Sequence, residues 1–203
     1  MLWYRCAMHS QIETLRAAVA RLPRGLAEHI EGAVAEARRL ALLHGVDEER
    51  AALAAWGHDI ARTLSPSELL AEARRLGLAV DPVEEEAPIL LHGPIAAALL
   101  SRDYGIDDAE VLAVARYHTT ARAGMSTLEK VVFVADKIEA GKVRAEPALA
   151  RVRQLADRDL NAAILEHLGQ HLVEASRRGW PLHANTVAAR NHLLLARAGR
   201  GQD

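Results

Sequence analysis

Six side chains are candidates for chemistry: the adjacent pair His58-Asp59 and, spaced around it, His29, His92, His118 and Asp136. All six are good ligands for hard or borderline metal ions. The isolated ones sit on, or at the edge of, stretches that should otherwise be buried. Burying an unpaired carboxylate or several imidazoles is costly, and shared coordination of a metal removes that cost. Taken singly, each has a bland reading. A His-Asp pair is often a helix-terminal feature, and a lone histidine on an apolar stripe is usually a satisfied core residue. Four or more independent coincidences would be needed to make all six bland, which favours a metal cluster.

The elements that must position these residues read as helix after helix, at about 10–21, 24–44, 48–63, 66–76, 94–104, 107–119, 126–140, 148–156, 157–178 and 184–198. Apolar residues recur at i+3 and i+4. Leu26, His29, Ala33, Ala37 and Leu40 form one stripe; Ala51, Ala55, His58 and Arg62 form another. Asp47 predicts a helix N-cap and Ser65-Pro66 a helix start. Residues 77–91 read as a loop, with Glu84-Glu85-Glu86 as a solvated face, and 141–147 as a looser connection. His58 and Asp59 differ by about 100° around a helix, so both reach one site only at a helix end that lines a cavity. The tail 199–203 is expected to be disordered.

Composition narrows the class. At 203 residues, half of them hydrophobic and rich in Ala and Leu, the chain suits one all-α domain. The formal net charge of -2 gives no global field toward a nucleic-acid polymer or an anionic membrane. No apolar run approaches the ~20 residues of a membrane span, and Met1 to Met8 is too short an apolar run for a signal peptide. The single cysteine, Cys6, permits no internal disulfide and reads as incidental, which fits a cytoplasmic protein. His167 and His171 share helical spacing, but Leu168 follows His167 where a zincin has Glu, so they read as a surface pair. Trp3, Trp56 and Trp180 are too scattered for a base-stacking platform and read as packing residues.

The order His, His-Asp, His, His, Asp resembles an HD-domain metal-dependent phosphohydrolase, and most closely the YqeK-type branch of symmetrical diadenosine tetraphosphate hydrolases. The similarity runs through His29-Ile30-Glu31-Gly32-Ala33-Val34, the segment 54–62 around His58-Asp59, and Leu91-His92-Gly93-Pro94. It continues through 115–125 around His118-Thr119-Thr120, 128–139 around Asp136, and Val152-Arg153-Gln154-Leu155-Ala156 with Asp159-Leu160-Asn161. Residues 117–139 carry its most specific part, since a generic HD domain does not require them.

The resemblance implies a single HD-type domain over 1–203, with an HD core at about 25–140 and C-terminal helices at about 148–198 packing on it. It implies two divalent or transition-metal ions, usually iron, with Mn, Co, Ni or Zn also suited to the ligands. One ion would take His29, His58, Asp59 and Asp136; the other His92 and His118, with Asp59 bridging. His58, Asp59 and Arg62 would serve catalysis, Arg62 standing where the family commonly has Lys. Arg62, Thr119, Arg122, Lys137, Thr186 and Arg190 are the substrate-binding candidates, Arg122 as the preferred phosphate clamp. Thr186 has a second reading as a helix N-cap, and Arg190 as a partner for an acid. Ala123 replaces a common Pro, and Ala140-Gly141-Lys142 replaces a Pro-containing turn that typically ends in Arg; both departures bear on substrate fit rather than on the ligands.

The expected activity is hydrolysis of a dinucleoside polyphosphate, diadenosine tetraphosphate cut symmetrically to two ADP. Two alternatives stay open on sequence alone. One is another HD phosphohydrolase acting on a nucleotide monophosphate, a dNTP or a cyclic dinucleotide. The other is a non-catalytic nucleotide- or metal-sensing binding protein. The Ala-rich helices leave room for a homodimer face.

Overall fold

A computed structural model describes residues 2–199, with side chains from Ala7 onward; the side chains of Trp3 and Cys6, and the tail 200–203, lie outside what it describes. The architecture is all-α, as expected, with twelve α-helices and no strand among the described residues. The helices are α1 (Leu2–Val19), α2 (Arg24–His44), α3 (Glu48–Gly57), α4 (Pro66–Arg75), α5 (Pro82–Glu86), α6 (His92–Tyr104), α7 (Ala109–Tyr117), α8 (Thr127–Ile138), α9 (Ala140–Ala145), α10 (Leu149–Ala156), α11 (Leu160–Arg178) and α12 (Ala184–Gly199), with a 3₁₀ turn at Pro88–Leu91 before α6. None is long and apolar enough to cross a membrane.

The short helix α3 lies at the centre, packed by α1, α2, α6, α7 and α8. Every residue from Ala51 to Gly57 is buried. Its small side chains allow this: a Cβ on Gly57 would stand 2.7 Å from Leu100 of α6. α8 is buried on nearly all sides, with Phe133 the largest fully buried side chain. α10 and α11 pack on α8, and α12 packs on α11.

Four expectations differ from the fold. The first helix, expected at about 10–21, runs from Leu2 to Val19. The segment 77–91 is not a plain loop: Asp81 and Glu84 close a capping box on α5, and Glu84 is buried rather than solvated. The connection 141–147 contains α9, whose free N–H groups at Gly141 and Lys142 donate to the Glu139 carboxylate at 2.6 and 2.7 Å. Finally, α3 stops at Gly57 instead of running on to 63. The His58 side chain explains the stop: its Nδ1 donates to Ala55 O at 2.6 Å, taking the acceptor that the next helical turn would use.

Candidate metal centre

Two parallel helices set the site. Asp47 caps α3 and Asp108 caps α7. Arg50 ties the two starts together, reaching Asp108 at 2.8 Å and Glu110 at 2.8 Å. Both helices end in a histidine, His58 and His118, and each histidine turns its Nδ1–H back on the carbonyl three residues before, Ala55 O and Ala115 O at 2.8 Å. His92 does the same with Ile89 O at the start of α6. Asp136 comes from the last turn of α8 and His29 from α2. The ends of α3, α7 and α8 therefore converge, and their partial negative charge favours a bound cation.

The Nδ1–H bonds decide the tautomer of three rings. His58, His92 and His118 carry their proton on Nδ1, so each Nε2 presents a lone pair. Those lone pairs converge. His92 Nε2 and His118 Nε2 are 2.9 Å apart, with no proton between them to share. Both face Asp59 Oδ1, at 3.0 and 3.3 Å. The other carboxylate oxygen, Asp59 Oδ2, faces His29 Nε2 and His58 Nε2, both at 3.6 Å. Asp136 Oδ1 stands 3.1 Å from His29 Nε2 and 3.7 Å from His58 Nε2. Despite this crowding, His58 Nε2 and Asp59 Oδ1 are buried without a hydrogen-bond partner. Buried acceptors aimed at one another without donors are what a cation would satisfy, and His29-His58-Asp59, His58-His118-Asp136 and Asp59-His92-His118 each could hold one.

Charge regulation points the same way. Burial would raise the Asp59 carboxyl, but His58 and the neighbouring imidazoles hold it well below the usual carboxylate range. Asp136 is also buried, yet Lys137 and Lys142 hold it well below that range. Burial pushes Lys137 down against the pull of Asp136. His118 is pushed down to about 4, by burial first and then by His92 and His58. It is thus neutral at pH 7 and coordinates without losing a proton. His58 moves the other way: burial lowers it, but Asp59 and Asp136 outweigh that.

The structure brings all six sequence-picked residues to one place. The other candidates distribute differently. Thr119 is at the centre, its hydroxyl 3.2 Å from His92 Nε2 and 3.1 Å from His118 Nε2. Lys137 Nζ meets Asp136 Oδ2 at 2.5 Å and His118 O at 3.3 Å. Arg62 is exposed in the turns that follow His58. Arg122 forks onto the buried carboxylate of Glu129 at 2.6 and 2.8 Å, with its guanidinium 5.1 Å from the Tyr117 ring centroid. The buried Thr186 hydroxyl donates to Thr120 O at 2.8 Å, which pins the start of α12 to the turn after His118. Arg190 lines a separate cavity between α10, α11 and α12.

Two residues that sequence reasoning did not pick belong here. Lys142 Nζ reaches Asp136 Oδ1 at 2.6 Å, and Glu139 Oε1 lies 3.5 Å from His29 Nδ1. Glu139 is signalled only by its position just past the Asp136 helix; Lys142 stands in the turn expected to bear on substrate fit rather than on the ligands, whereas it pairs with the ligand candidate Asp136 itself.

Gly93 explains how His92 and His118 come so close. A Cβ there would stand 2.9 Å from both Ala115 O and Arg116 O, backbone atoms that cannot swing aside. Gly93→Ala is therefore expected to force α6 from α7, costing about 1–3 kcal/mol and lowering metal content. Thermal unfolding with metal quantification checks this; an unchanged melting temperature and metal content would contradict it.

His167 is half-buried rather than a solvated surface residue. Its ring packs on Phe133, centroids 5.7 Å apart, because α11 lies on α8, and its Nδ1 is buried without a hydrogen-bond partner. Burial, with help from Lys137 and His171, pushes its pKa down to about 3. The unfolded chain takes up this proton near pH 6.5 and the folded one refuses it until about 3, so stability falls as pH drops across that window. Between pH 7 and 4.5, a His167→Met variant should lose about 1–2 kcal/mol less stability than the parent. Equal losses in denaturant melts at the two pH values would refute this.

The chain matches the HD domain over residues 18–141. It is 36% identical over 168 residues to the symmetrical bis(5'-nucleosyl)-tetraphosphatase of Halalkalibacterium halodurans, covering 83% of this chain and 88% of that protein. The protein of the same name from Bacillus subtilis is 34% identical over 166 residues, covering 82% and 88%. The fold superposes with a TM-score of 0.86 and 32% identity on a crystal structure from Clostridium acetobutylicum, described as a predicted HD superfamily hydrolase involved in NAD metabolism, over 91% of this chain and 97% of that one.

Proposed function

The chain belongs to the HD-domain family of metal-dependent phosphohydrolases and groups with the symmetrical bis(5'-nucleosyl)-tetraphosphatases, and we propose that it hydrolyses diadenosine tetraphosphate to two ADP at a pair of metal ions. The observation that carries this reading is the split of Asp59: Oδ2 faces His29 and His58, Oδ1 faces His92 and His118. In this reading His29, His58, Asp59 and Asp136 hold one ion, and His92 and His118 hold the second with Asp59 shared. Iron is the preferred metal, with Mn, Co, Ni and Zn suited to the same donors. Bound ions of this kind supply an activated water and neutralise charge on phosphoryl oxygens.

The chain's own residues do the rest. The carbonyls of Ala55, Ile89 and Ala115 lock three imidazoles in ring orientation and tautomer. Lys137 and Lys142, paired through Asp136, are the nearest cations for the non-bridging oxygens of a tetraphosphate. Thr119 presents a hydroxyl beside His92 and His118 that can donate to a phosphoryl oxygen. One water is consumed: its oxygen joins one central phosphorus, the P–O bond between the two central phosphates breaks, and ADP leaves on each side.

Metal dependence tests the reading. Protein purified anaerobically should carry about two metal equivalents, lose hydrolysis on chelation and regain it when the ion is restored. One equivalent at full activity, or hydrolysis that survives chelation, would contradict it.

A further inference from the structure

A cavity of about 440 Å³ opens beside the metal centre, between the 3₁₀ turn before α6, the turn after His118 and the chain entering α12. That is within the usual size range of small-ligand pockets. Thr119 lines it, the same residue that touches His92 and His118. Ile89, Leu90, Pro181 and Trp180 give it apolar walls. No lysine or arginine lines it, and Glu86 places a carboxylate there. A polyphosphate would be repelled from such a lining, whereas a flat, uncharged ring with an exocyclic amine would be accepted.

The walls are held in place. His183 Nδ1 accepts from Asn185 N at 3.1 Å, so its proton is on Nε2, which points at Asp81 Oδ2 at 3.0 Å. This is the opposite tautomer to the metal-centre histidines: His183 with Asp81 and Glu84 is a proton-filled clasp, and it fastens the 180–183 segment to the start of α5. Thr186, in the first turn of α12 just after that segment, donates to Thr120 O. Trp180 nonetheless stays 49% exposed, with the Arg178 guanidinium 4.7 Å from its ring centroid. It is not a packing residue.

We propose that this cavity receives one adenine ring of the substrate, with Trp180 as its stacking surface and Glu86 as acceptor for the exocyclic amine. The proposal rests on the dinucleoside tetraphosphate reading above. The base enters the cavity while its phosphates run past Thr119 to the metal centre. Stacking on an indole gives affinity that an aliphatic side chain cannot.

The test is tryptophan fluorescence of the metal-loaded protein titrated with ADP, alongside diadenosine tetraphosphate kinetics. ADP should quench the parent, and Trp180→Ala should remove most of the quench. The same variant should weaken ADP binding and raise KM about tenfold, a larger change than any fall in kcat, with metal content retained. Trp180→Phe should recover most of the affinity. ADP binding to Trp180→Ala as tight as to the parent, or an unchanged KM in a parent-like hydrolase, would overturn the pocket and leave the hydrolase reading standing. A parent that binds ADP through Trp180 yet fails to cut the tetraphosphate would keep the pocket and refute the hydrolase.

Discussion

Asp59→Ala is expected to lower kcat for diadenosine tetraphosphate roughly a thousandfold or more and to release most of the bound metal. The reason is position. Four histidine Nε2 atoms lie within 3.6 Å of the two oxygens of this carboxylate, two facing each oxygen. In the proposed two-ion site, its removal would take one ligand from each ion and leave lone pairs facing one another. Asp59→Asn separates charge from shape, because it keeps the volume and removes the anion; a comparable loss is expected. Unfolding curves of metal-free protein should show both variants folded, since metal-free Asp59 itself has no hydrogen-bond partner at Oδ1. Turnover retained by the alanine variant would contradict a shared carboxylate.

The second large effect is expected at His118. His118→Ala should remove about one metal equivalent and reduce hydrolysis by about a hundredfold or more, while an ion at the proposed set His29, His58, Asp59 and Asp136 should stay bound. The side chain is buried, is fixed by Ala115 O and stands 2.9 Å from His92. With its pKa down at about 4, protonation does not rescue the parent cluster from an absent metal near neutrality. Metal quantification separates the outcomes: loss of both equivalents would show that the two sets of ligands act as one site, and loss of neither would place His118 outside the centre.

The six proposed ligands were legible because each breaks an apolar pattern with a group that is expensive to bury. The helices α2, α3, α6, α7 and α8 were legible for the same reason, from their stripes and caps. What the sequence hid was settled by contacts between distant segments. α5 carries its own capping signal, Asp81 with Glu84, but the acidic run around it reads as a solvated loop. The early end of α3 depends on a side chain turning back on its own helix. Lys142 acts through a short helix whose start is fixed by Glu139. His167 is half-buried, with its Nδ1 enclosed, because α11 lies on α8 at Phe133. Thr186 and Arg122, both read as substrate contacts, are engaged with Thr120 and Glu129, partners that no spacing rule reveals.

The most direct test is the product of one turnover. Metal-loaded protein is incubated with diadenosine tetraphosphate in ¹⁸O-enriched water, and the nucleotides are separated and weighed by mass spectrometry. The expected result is ADP alone, half of it carrying one heavy oxygen on its terminal phosphate. AMP with ATP, or intact substrate under every metal tried, would contradict symmetrical cleavage at this centre.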